Sequence, residues 1–419
     1  MTTPEERSDK ADRYLPPQWD GGHLAWLWSR LRDQLVFYPW YRHDPAYRIQ
    51  WSQPLADTDA SALDLLESGD AYRGAYGAVL SYDIAEDLPS LAQPTLLVVA
   101  KPDALVRFVD AYPQMPPCVE VSVVPEFADV YTATLEFLRR QSLPAAQARP
   151  HAPPAGSTLW SSFIDVADGQ LHLRRAQADE GRTLLILHDY GSSAAALEPL
   201  LRGIAGRRPL LAPDLPGHGE SDRLGATAPE EIAERLAQAL GAIGSDAFDL
   251  AAVGAAATLV PALRRRCGAR LRRTVLIEPL PAPSGDVRAF ARALVPDLTT
   301  DAAGSHLARA WLYLRDRALY HPWHERSTAA QLALGRPPRP AEQQRALIDL
   351  LKSRGVLAAQ LEAALASPDF AAAGGHCDAL LARRGAAIRR SAEAAITLPD
   401  EKFQWGTALL RALEAPAAR

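Results

Sequence analysis

One turn of this chain has the residue pattern of a catalytic elbow but lacks the group that would react. Phe248–Val253 is a short, mostly apolar run typical of a buried strand, and Gly254-Ala255-Ala256-Ala257-Thr258 follows it and opens a helical stretch. In a G-x-S-x-G elbow, a serine stands at the third position, on a sharp strand-to-helix turn. Here that position is Ala256, and a methyl group can neither lose a proton nor attack a carbonyl carbon. The pattern therefore predicts a site for nucleophilic catalysis from which the nucleophile is missing.

Alternating strands and helices must position this turn. Residues 163–173 predict a β-hairpin, with Asp168-Gly169 as its turn because glycine accepts a positive φ without strain. Residues 183–187 and 273–279 are mainly apolar runs, as expected of strands that are covered on both faces. A helix is predicted at about 229–241. This alternation predicts a mostly parallel sheet with helices on both faces.

Two loops carry further residues of chemical interest. Residues 214–221 have the sequence Asp-Leu-Pro-Gly-His-Gly-Glu-Ser, and residues 188–191 have the sequence His-Asp-Tyr-Gly. The first resembles the D-x-P-G-H-G-x-S loop that follows the fourth strand of α/β-hydrolases. The second resembles their H-G-x-G oxyanion loop, with Asp189 in place of glycine. Together with the elbow, these motifs and their order make residues 158–415 resemble the α/β-hydrolase superfamily.

This resemblance implies an α/β-hydrolase fold, a mostly parallel sheet flanked by helices, with a helical lid at about 285–370. It also implies a ligand pocket beside the elbow. The residues predicted to line that pocket are His188, Asp189, Tyr190, Ala257 and Trp311. Because one fold hosts many functions, activity must still be argued from the site.

The resemblance also implies a histidine base and an acid, and neither is found where the family has it. The histidine belongs in the loop after the last strand, but residues 398–405, after a candidate strand at 394–397, contain none. The acid belongs after the preceding strand, and residues 376–387 carry no carboxylate after their apolar run. Glu278 is an alternative acid, although a strand-end role suits it better. A Ser-His-Asp mechanism needs the base beside the nucleophile, so the sequence predicts the loss of serine-hydrolase activity.

The chain also repeats itself. Residues 22–40 match residues 305–323 without a gap, and nine positions are identical, including His23 with His306 and Trp28 with Trp311. Each stretch has apolar residues at i, i+4 and i+7, which places them on one face of a helix. The match predicts two similar lid helices and a duplication within the chain.

The first copy contains only the end of such a domain. After its lid come a strand at 94–100, Asp103 at the family's acid position, a strand at Val119–Val124 and a closing helix at 133–141. The sequence thus predicts a partial copy at 15–142, a Pro/Ala-rich linker at 143–157 and a whole copy at 158–415. The strand at 94–100 needs a partner strand. It could pair with the second copy's sheet or with another chain, or it could take the place of the strand around Leu380. The last option would bring Asp103 near Ala256.

Composition excludes several classes of function. The 419 residues suffice for two domains, and a net charge of −5 gives no case for nucleic-acid binding. No early apolar segment suits a signal peptide or membrane span, so we expect a cytoplasmic protein. Cys118, Cys267 and Cys377 lack metal-ligand spacing. We expect neither a metal nor a cofactor.

The conspicuous lid residues have two interpretations each. His306 could be an acid or base in the pocket, but a packed residue at a helix start is the commoner situation. Trp311 could line an apolar pocket, but such tryptophans are more often core anchors with a large buried area.

Three hypotheses of function remain. The chain could bind a small-molecule ligand, a second copy of itself or a related hydrolase chain without hydrolysing anything. It could be a hydrolase or lyase that acts on a small organic substrate with a non-standard set such as His188, Asp189 or His306. It could also be a fusion of degenerate copies without activity. An open apolar groove favours binding, a closed polar pocket near Ala256 favours an enzyme, and a collapsed pocket favours the third hypothesis.

Overall fold

The computed structural model describes residues 15–49, 52–82, 87–106, 109, 115–141, 158–280, 286–320, 323–331, 338–367, 377–382, 395–398 and 402–414. The chain divides into two compact units. The first consists of residues 1–150 and 300–305, and the second consists of residues 151–299 and 306–419. Within the described residues, no helix is long and apolar enough to cross a membrane.

The first unit begins with three helices, α1 (Gly22–Asp33), α2 (Leu55–Ser68) and α3 (Ala71–Ser81). Helix α1 buries Leu24, Trp28 and Leu31, the i, i+4, i+7 set that the sequence places on one face. Ala62 and Leu66 of α2 are buried as well, so the apolar stripes of these helices form a small core.

The rest of the first unit is a parallel strand pair followed by a helix. Strands β1 (Thr95–Ala100) and β2 (Val119–Val124) pair in register, and α4 (Phe127–Arg140) follows. Among the described residues, this pair forms a sheet of its own. The expectation that the 94–100 strand joins the second copy's sheet is therefore wrong for this part of the chain.

The second unit is built on one eight-stranded sheet. The strand order is β10-β9-β8-β7-β5-β6-β4-β3, and all neighbours are parallel except that β4 runs antiparallel to β3 and β6. The strands are β3 (Trp160–Val166), β4 (Gly169–Ala176), β5 (Thr183–Leu187), β6 (Leu210–Pro213), β7 (Phe248–Val253), β8 (Leu271–Ile277), β9 (Ala379–Ala382) and β10 (Ala395–Thr397).

Helices cover this sheet and close its core. They are α5 (Glu198–Arg202), α6 (Pro229–Ala242), α7 (Val260–Cys267), α8 (Val287–Leu294), α9 (Ser305–Leu319), α10 (Pro340–Ser353), α11 (Leu357–Ala366) and α12 (Lys402–Glu414). One buried apolar cluster joins the central strands to α5 and α12, with Leu200, Trp405 and Leu409 among its members. Helices α8 to α11 lie between β8 and β9 in the chain, where the sequence predicts the lid.

The opening hairpin turns one residue earlier than the sequence predicts. Val166 pairs with Gly169, so the two turn residues are Ala167 and Asp168. Gly169 instead starts β4, with a φ of 151°. The pairing fixes the register, because a slip of one residue would turn the buried face of β4 toward solvent.

The end of the sheet is formed by strands of the second unit itself. Strand β9 pairs with β8 along Val275–Ala379 and its neighbours, which rules out the first copy's strand at that place. The option that the first copy's strand takes this place is therefore wrong. Helix α12 starts at Lys402, so Trp405 is a core residue of a helix rather than part of a loop. Residues 376 and 383–387 of the predicted acid region and residues 399–401 of the predicted histidine loop lie outside the described residues.

The matched stretches of the two units have the same local elements. Each matched helix is followed by an isolated antiparallel bridge, Phe37 with Arg48 and Tyr320 with Gln331. A short 3-10 helix precedes the end of each bridge, at Pro45–Tyr47 and at Thr328–Ala330. Recurrence of the elements at the spacing of the sequence match favours the predicted duplication.

Candidate functional site

In the turn after β7, the residue with a positive φ is Gly254 and not Ala256. Gly254 has a φ of 58°, and it begins the 3-10 segment Gly254–Leu259 that leads into α7. Among described non-glycine residues, a positive φ occurs only at Glu278. Because the elbow holds its nucleophile at the strained strand-to-helix position, the structure moves that position from Ala256 to Gly254. Either residue lacks a nucleophilic atom, so the predicted absence stands.

The carboxylate of Asp189 occupies the space where an elbow side chain would begin. A Cβ atom added to Gly254 would lie 2.3 Å from Cγ of Asp189, far inside van der Waals contact. Oδ1 of the same carboxylate accepts a hydrogen bond from the backbone N–H of Ala255, at 2.8 Å. In an active elbow, the N–H after the nucleophile is one donor of the oxyanion hole. The carboxylate therefore fills both the nucleophile position and one half of the oxyanion hole.

Arg317 of α9 neutralises this carboxylate from the lid side. Its guanidinium forms an ion pair and a hydrogen bond with Oδ2 of Asp189. The hydroxyl of Tyr313, one turn earlier on α9, lies 3.5 Å from Arg317 Nη1. Asp189 is 17% exposed and Arg317 is 42% exposed at the side chain, so the pair is partly shielded from water. The ion pair connects the loop after β5 to α9.

His188 is fully engaged in holding the backbone. Nε2 accepts a hydrogen bond from the N–H of Leu215 at 2.9 Å, which leaves Nδ1 to donate to the carbonyl oxygen of Asp189 at 2.8 Å. Burial lowers the pKa of His188, against the opposing effect of nearby carboxylates. The neutral ring with its proton on Nδ1 thus positions the Asp189 backbone and has no nitrogen free for proton transfer.

Asp214 organises the loop after β6. Its carboxylate pairs with Nδ1 of His172 at 2.8 Å and accepts the N–H groups of Ala194 and Glu220 at 2.6 and 3.0 Å. Burial opposes ionisation of Asp214, but these hydrogen bonds prevail and lower its pKa. Burial also lowers the pKa of His218 to about 3. The loop is therefore a structural element with a neutral histidine at its centre.

The order of the strands can be compared with the positions of the two motifs. The Asp214 loop follows the fourth strand of the second unit, and the elbow turn follows the fifth, in a sheet whose second strand alone is antiparallel. The second unit has the α/β-hydrolase fold. In this α/β-hydrolase-fold unit, the carboxyl ends of β5 and β7 bring the Asp189 loop and the elbow together.

A cavity of about 60 Å³ opens beside Asp189. Most of its lining is aliphatic or aromatic, and the Asp189–Arg317 pair is its charged part. The lining residues are Asp189, Tyr190, Ala255, Leu280, Leu294, Val295, Tyr313, Arg317, Tyr320, Trp323, Leu357 and Leu361. No histidine of the described residues is among them, so the described part of the site provides no histidine base of the kind that a Ser-His-Asp mechanism needs.

The structure brings together only two of the predicted pocket residues, Asp189 and Tyr190. Burial raises the pKa of Tyr190, which keeps its phenol protonated. His188, Ala257 and Trp311 are buried nearby in the fold without lining the cavity. They support the walls but do not face a ligand.

The weak catalytic candidates also lie away from the cavity lining. His306 is completely buried in the first turn of α9. Glu278 follows β8 with a φ of 47°, and its N–H donates to the carbonyl oxygen of Leu381 at 2.9 Å. Asp103 belongs to the first unit, where Oδ1 accepts the N–H of Leu105 at 2.8 Å and closes a turn after β1. The Asp103 carboxylate therefore closes a turn, and the Glu278 backbone ends a strand.

The sequence placed Trp311 of α9 in the pocket, but other residues of this segment line the cavity. Tyr313 and Arg317 lie four residues apart on one face of α9, and Tyr320 and Trp323 follow the end of the helix. The sequence gives no local signal for the pairing of Asp189 with Arg317, because the two residues lie 128 positions apart.

Comparisons with known proteins found solved structures of similar fold, and they show nothing about this chain beyond its fold. No protein-family model matches the sequence, and no curated protein matches it either. Similar solved structures include wild-type Cfl2 from Burkholderia cenocepacia, with 22% identity, 62% of this chain and 97% of that chain covered, and a TM-score of 0.45. A haloalkane dehalogenase loop variant from Bradyrhizobium elkanii has 16% identity, 61% and 95% coverage and a TM-score of 0.41. Epoxide hydrolase A from Mycobacterium thermoresistibile has 14% identity, 61% and 98% coverage and a TM-score of 0.45. Likeness at this level says nothing about activity.

Proposed function

We propose that the α/β-hydrolase-fold unit binds a small, largely apolar ligand in the cavity beside Asp189 and does not hydrolyse esters by a serine mechanism. The single observation that carries this proposal is the position of the Asp189 carboxylate, on the Ala255 amide and against Gly254. Fold resemblance alone would favour hydrolysis, but function follows from the site.

The chemistry of ester hydrolysis fails at two steps. Gly254 has no side chain that could attack a carbonyl carbon, and the oxygen of a tetrahedral intermediate would find the Ala255 N–H already bonded. Removal of a nucleophile from an active triad normally leaves about 10³–10⁴-fold acceleration through the oxyanion hole and binding. Because Asp189 occupies the hole as well, even this residual acceleration is expected to be lost.

The lining supports binding. Ligand sites are concave and mostly apolar, with a few polar groups that orient the ligand. The cavity has aliphatic walls, four aromatic side chains at Tyr190, Tyr313, Tyr320 and Trp323, and one ion pair. Because each buried water needs about 10–15 Å³, 60 Å³ accommodates about four to six water-sized groups. The buried part of the ligand is therefore small, and the remainder extends toward the opening.

Butyramide is a suitable probe for this binding, because its amide head and short alkyl chain match the size and polarity of the cavity. We expect saturable binding to the full chain in a ligand-observed NMR titration. Leu294→Trp places a large side chain at the cavity wall and should abolish binding. Leu312→Trp, on a 43% exposed position outside the lining, is the matched control. Non-saturable signal in the wild type, or equal binding by the two variants, would contradict the proposal.

A second function has one observation in its favour. The Asp189 carboxylate lies where an elbow nucleophile would lie, and carboxylates do act as nucleophiles in some enzymes. In that case an Asp189 oxygen would attack the carbon of a small alkyl halide, the halide would leave as an anion, and an ester would form on the chain. Both oxygens are already bonded, one to Ala255 and one to Arg317, which weakens their nucleophilicity.

Mass spectrometry separates the two functions. After incubation of the full chain with 1-bromobutane, the peptide that contains Asp189 should carry no butyl group. A butyl ester on Asp189 that is absent from the Asp189→Asn variant would establish the nucleophilic function and reject simple binding.

A further inference from the structure

We infer that Asp189 determines the charge of the ligand: it is an internal anion that excludes carboxylate ligands from the cavity and restricts the site to uncharged ones. This inference rests on the proposed function, because it assumes that the cavity binds a small molecule.

The cavity contains the elements of an anion site. The Ala255 N–H lies at the beginning of the helical stretch that continues into α7, where backbone N–H groups point outward, and Arg317 supplies a guanidinium from the opposite side. A guanidinium and a backbone N–H that converge on one point are a common receptor for a carboxylate. The two groups bind the Asp189 carboxylate, with Oδ1 on Ala255 and Oδ2 on Arg317.

A ligand carboxylate would have to displace Asp189 or lie next to it. Displacement is obstructed because the Asp189 backbone is held by His188, whose Nδ1 donates to the Asp189 carbonyl oxygen at 2.8 Å. The position next to Asp189 would put two carboxylates beside one guanidinium, in a cavity with mostly apolar walls. A charge that enters such walls without a partner of its own loses hydration that nothing replaces. An uncharged ligand avoids both costs.

The remaining donors suit an uncharged ligand with one hydrogen-bond acceptor. A guanidinium has five N–H donors, and the described contacts of Arg317 use only Nη2 toward Asp189 and Nη1 toward Tyr313. Amides, esters, ketones and lactones of a few carbon atoms have such an acceptor. These classes are the expected ligands.

Asp189→Asn tests the inference because it keeps an oxygen for the Ala255 N–H and removes only the charge. At neutral pH, we compare the Kd values of butyramide and butyrate, which differ by the replacement of an amide with a carboxylate. The wild-type chain should bind butyramide at least about tenfold more tightly than butyrate. In Asp189→Asn, the freed Arg317 should tighten butyrate binding by at least about tenfold and reverse the preference.

Two further variants test whether the change in butyrate affinity is specific to the charge of Asp189. Asp179→Asn removes one negative charge at an exposed position and should leave both Kd values unchanged. The double variant Asp189→Asn with Arg317→Gln should lose the gain in butyrate affinity, because the cation that attracts butyrate is gone. Circular dichroism and thermal melting confirm that each variant is folded.

The outcomes separate this inference from the proposed function. Equal wild-type affinity for both probes, or an unchanged preference in Asp189→Asn, overturns the inference while ligand binding itself stands. If the wild type binds neither probe, the proposed function fails. Butyrate binding by Asp189→Asn would then still support an anion site filled by Asp189, and its absence would overturn the inference too.

Discussion

At the scale of single residues, the absence of a side chain at Gly254 and the position of the Asp189 carboxylate depend on each other. Any side chain at Gly254 would collide with the Asp189 carboxylate, and the carboxylate finds space only because position 254 is a glycine. The resemblance to α/β-hydrolases implies a nucleophile at the position of Gly254 and a small oxyanion-loop residue at the position of Asp189. In this chain the small residue, Gly254, is at the elbow, and the carboxylate, that of Asp189, is in the oxyanion loop.

Gly254→Ala should therefore cost more than backbone strain alone. Gly268 has nearly the same φ, 55° against 58°, but a Cβ there meets nothing within 4 Å. We expect Gly268→Ala to lower the free energy of unfolding by about 1 kcal/mol, the cost of a positive φ. Gly254→Ala should cost about 1–3 kcal/mol more, because it also forces atoms into a packed region. Urea denaturation of both variants measures the difference.

A rescue experiment identifies the colliding group. If the excess cost arises from the carboxylate, the double variant Gly254→Ala with Asp189→Ala should recover most of it. Equal destabilisation by Gly254→Ala and Gly268→Ala would show that Asp189 is not where the structure has it.

Asp349 of α10 provides a test by pH. Burial raises the pKa of this carboxyl to about 7, and Asp214 acts in the same direction, whereas Ser193, Lys352 and Arg345 oppose the change. A carboxyl whose pKa is raised by folding stabilises the folded state least at high pH. The loss of stability begins above the ordinary pKa near 4 and is complete above about 7.

We therefore expect the free energy of unfolding to fall by about 2–3 kcal/mol through this one group between about pH 5 and about pH 8. Asp349→Asn should remove that part of the pH dependence, whereas the exposed Asp179→Asn should leave it intact. Denaturation at the two pH values is the measurement, and parallel curves for wild type and Asp349→Asn would refute the prediction.

At the scale of elements, the sequence was most informative where apolar runs are continuous. Strands β1, β2, β5 and β7 and helices α1, α6 and α9 lie where the pattern predicts them. The register of the elbow and the position of the hairpin turn were wrong by two residues and one residue. Small residues fit the elbow pattern at both 252–256 and 254–258, and only the backbone φ distinguishes the two. The ion pair of Asp189 with Arg317 spans 128 positions, so local pattern could not reveal it.

Helix α9 holds one wall of the cavity, and Trp311 anchors it. The indole is 1% exposed, and the Trp311 carbonyl oxygen accepts a hydrogen bond from Gln343 of α10 at 2.9 Å. Trp311→Ala should lower the free energy of unfolding by about 3–5 kcal/mol through loss of buried area and a residual cavity. Leu312→Ala, on the exposed side of the same helix, should have little effect. A thermal melt of Trp311→Ala like that of the wild type would mean that α9 is not packed as described.

At the scale of the whole molecule, the first unit has more apolar surface than its own elements cover. Strand β1 contains no charged residue and no proline, the usual protections of a sheet edge. On α4, Tyr131, Leu135 and Leu138 form an i, i+4, i+7 stripe that is 76, 52 and 47% exposed. The sequence predicted the strands and helix of this unit, but it could not show what covers them.

We expect a second copy of the chain to cover this surface, since an uncharged edge and an apolar stripe can pair with their own equivalents around a two-fold axis. Sedimentation of the full chain should show a concentration-dependent dimer. Leu135→Glu should weaken it, whereas Val79→Glu, at another exposed apolar position of the first unit, should not. A wild-type chain that stays monomeric at all concentrations would contradict this expectation.

Hydrolysis of p-nitrophenyl butyrate by the purified full chain tests most directly whether the elbow is inert. With Gly254 in the nucleophile position and Asp189 on the Ala255 N–H, the rate should equal the buffer background and show no saturation. Asp189→Asn and His306→Ala should give the same background rate. Saturable turnover by the wild type that disappears in either variant would contradict the account, because among the described residues the nucleophile position of the elbow itself has no nucleophilic side chain.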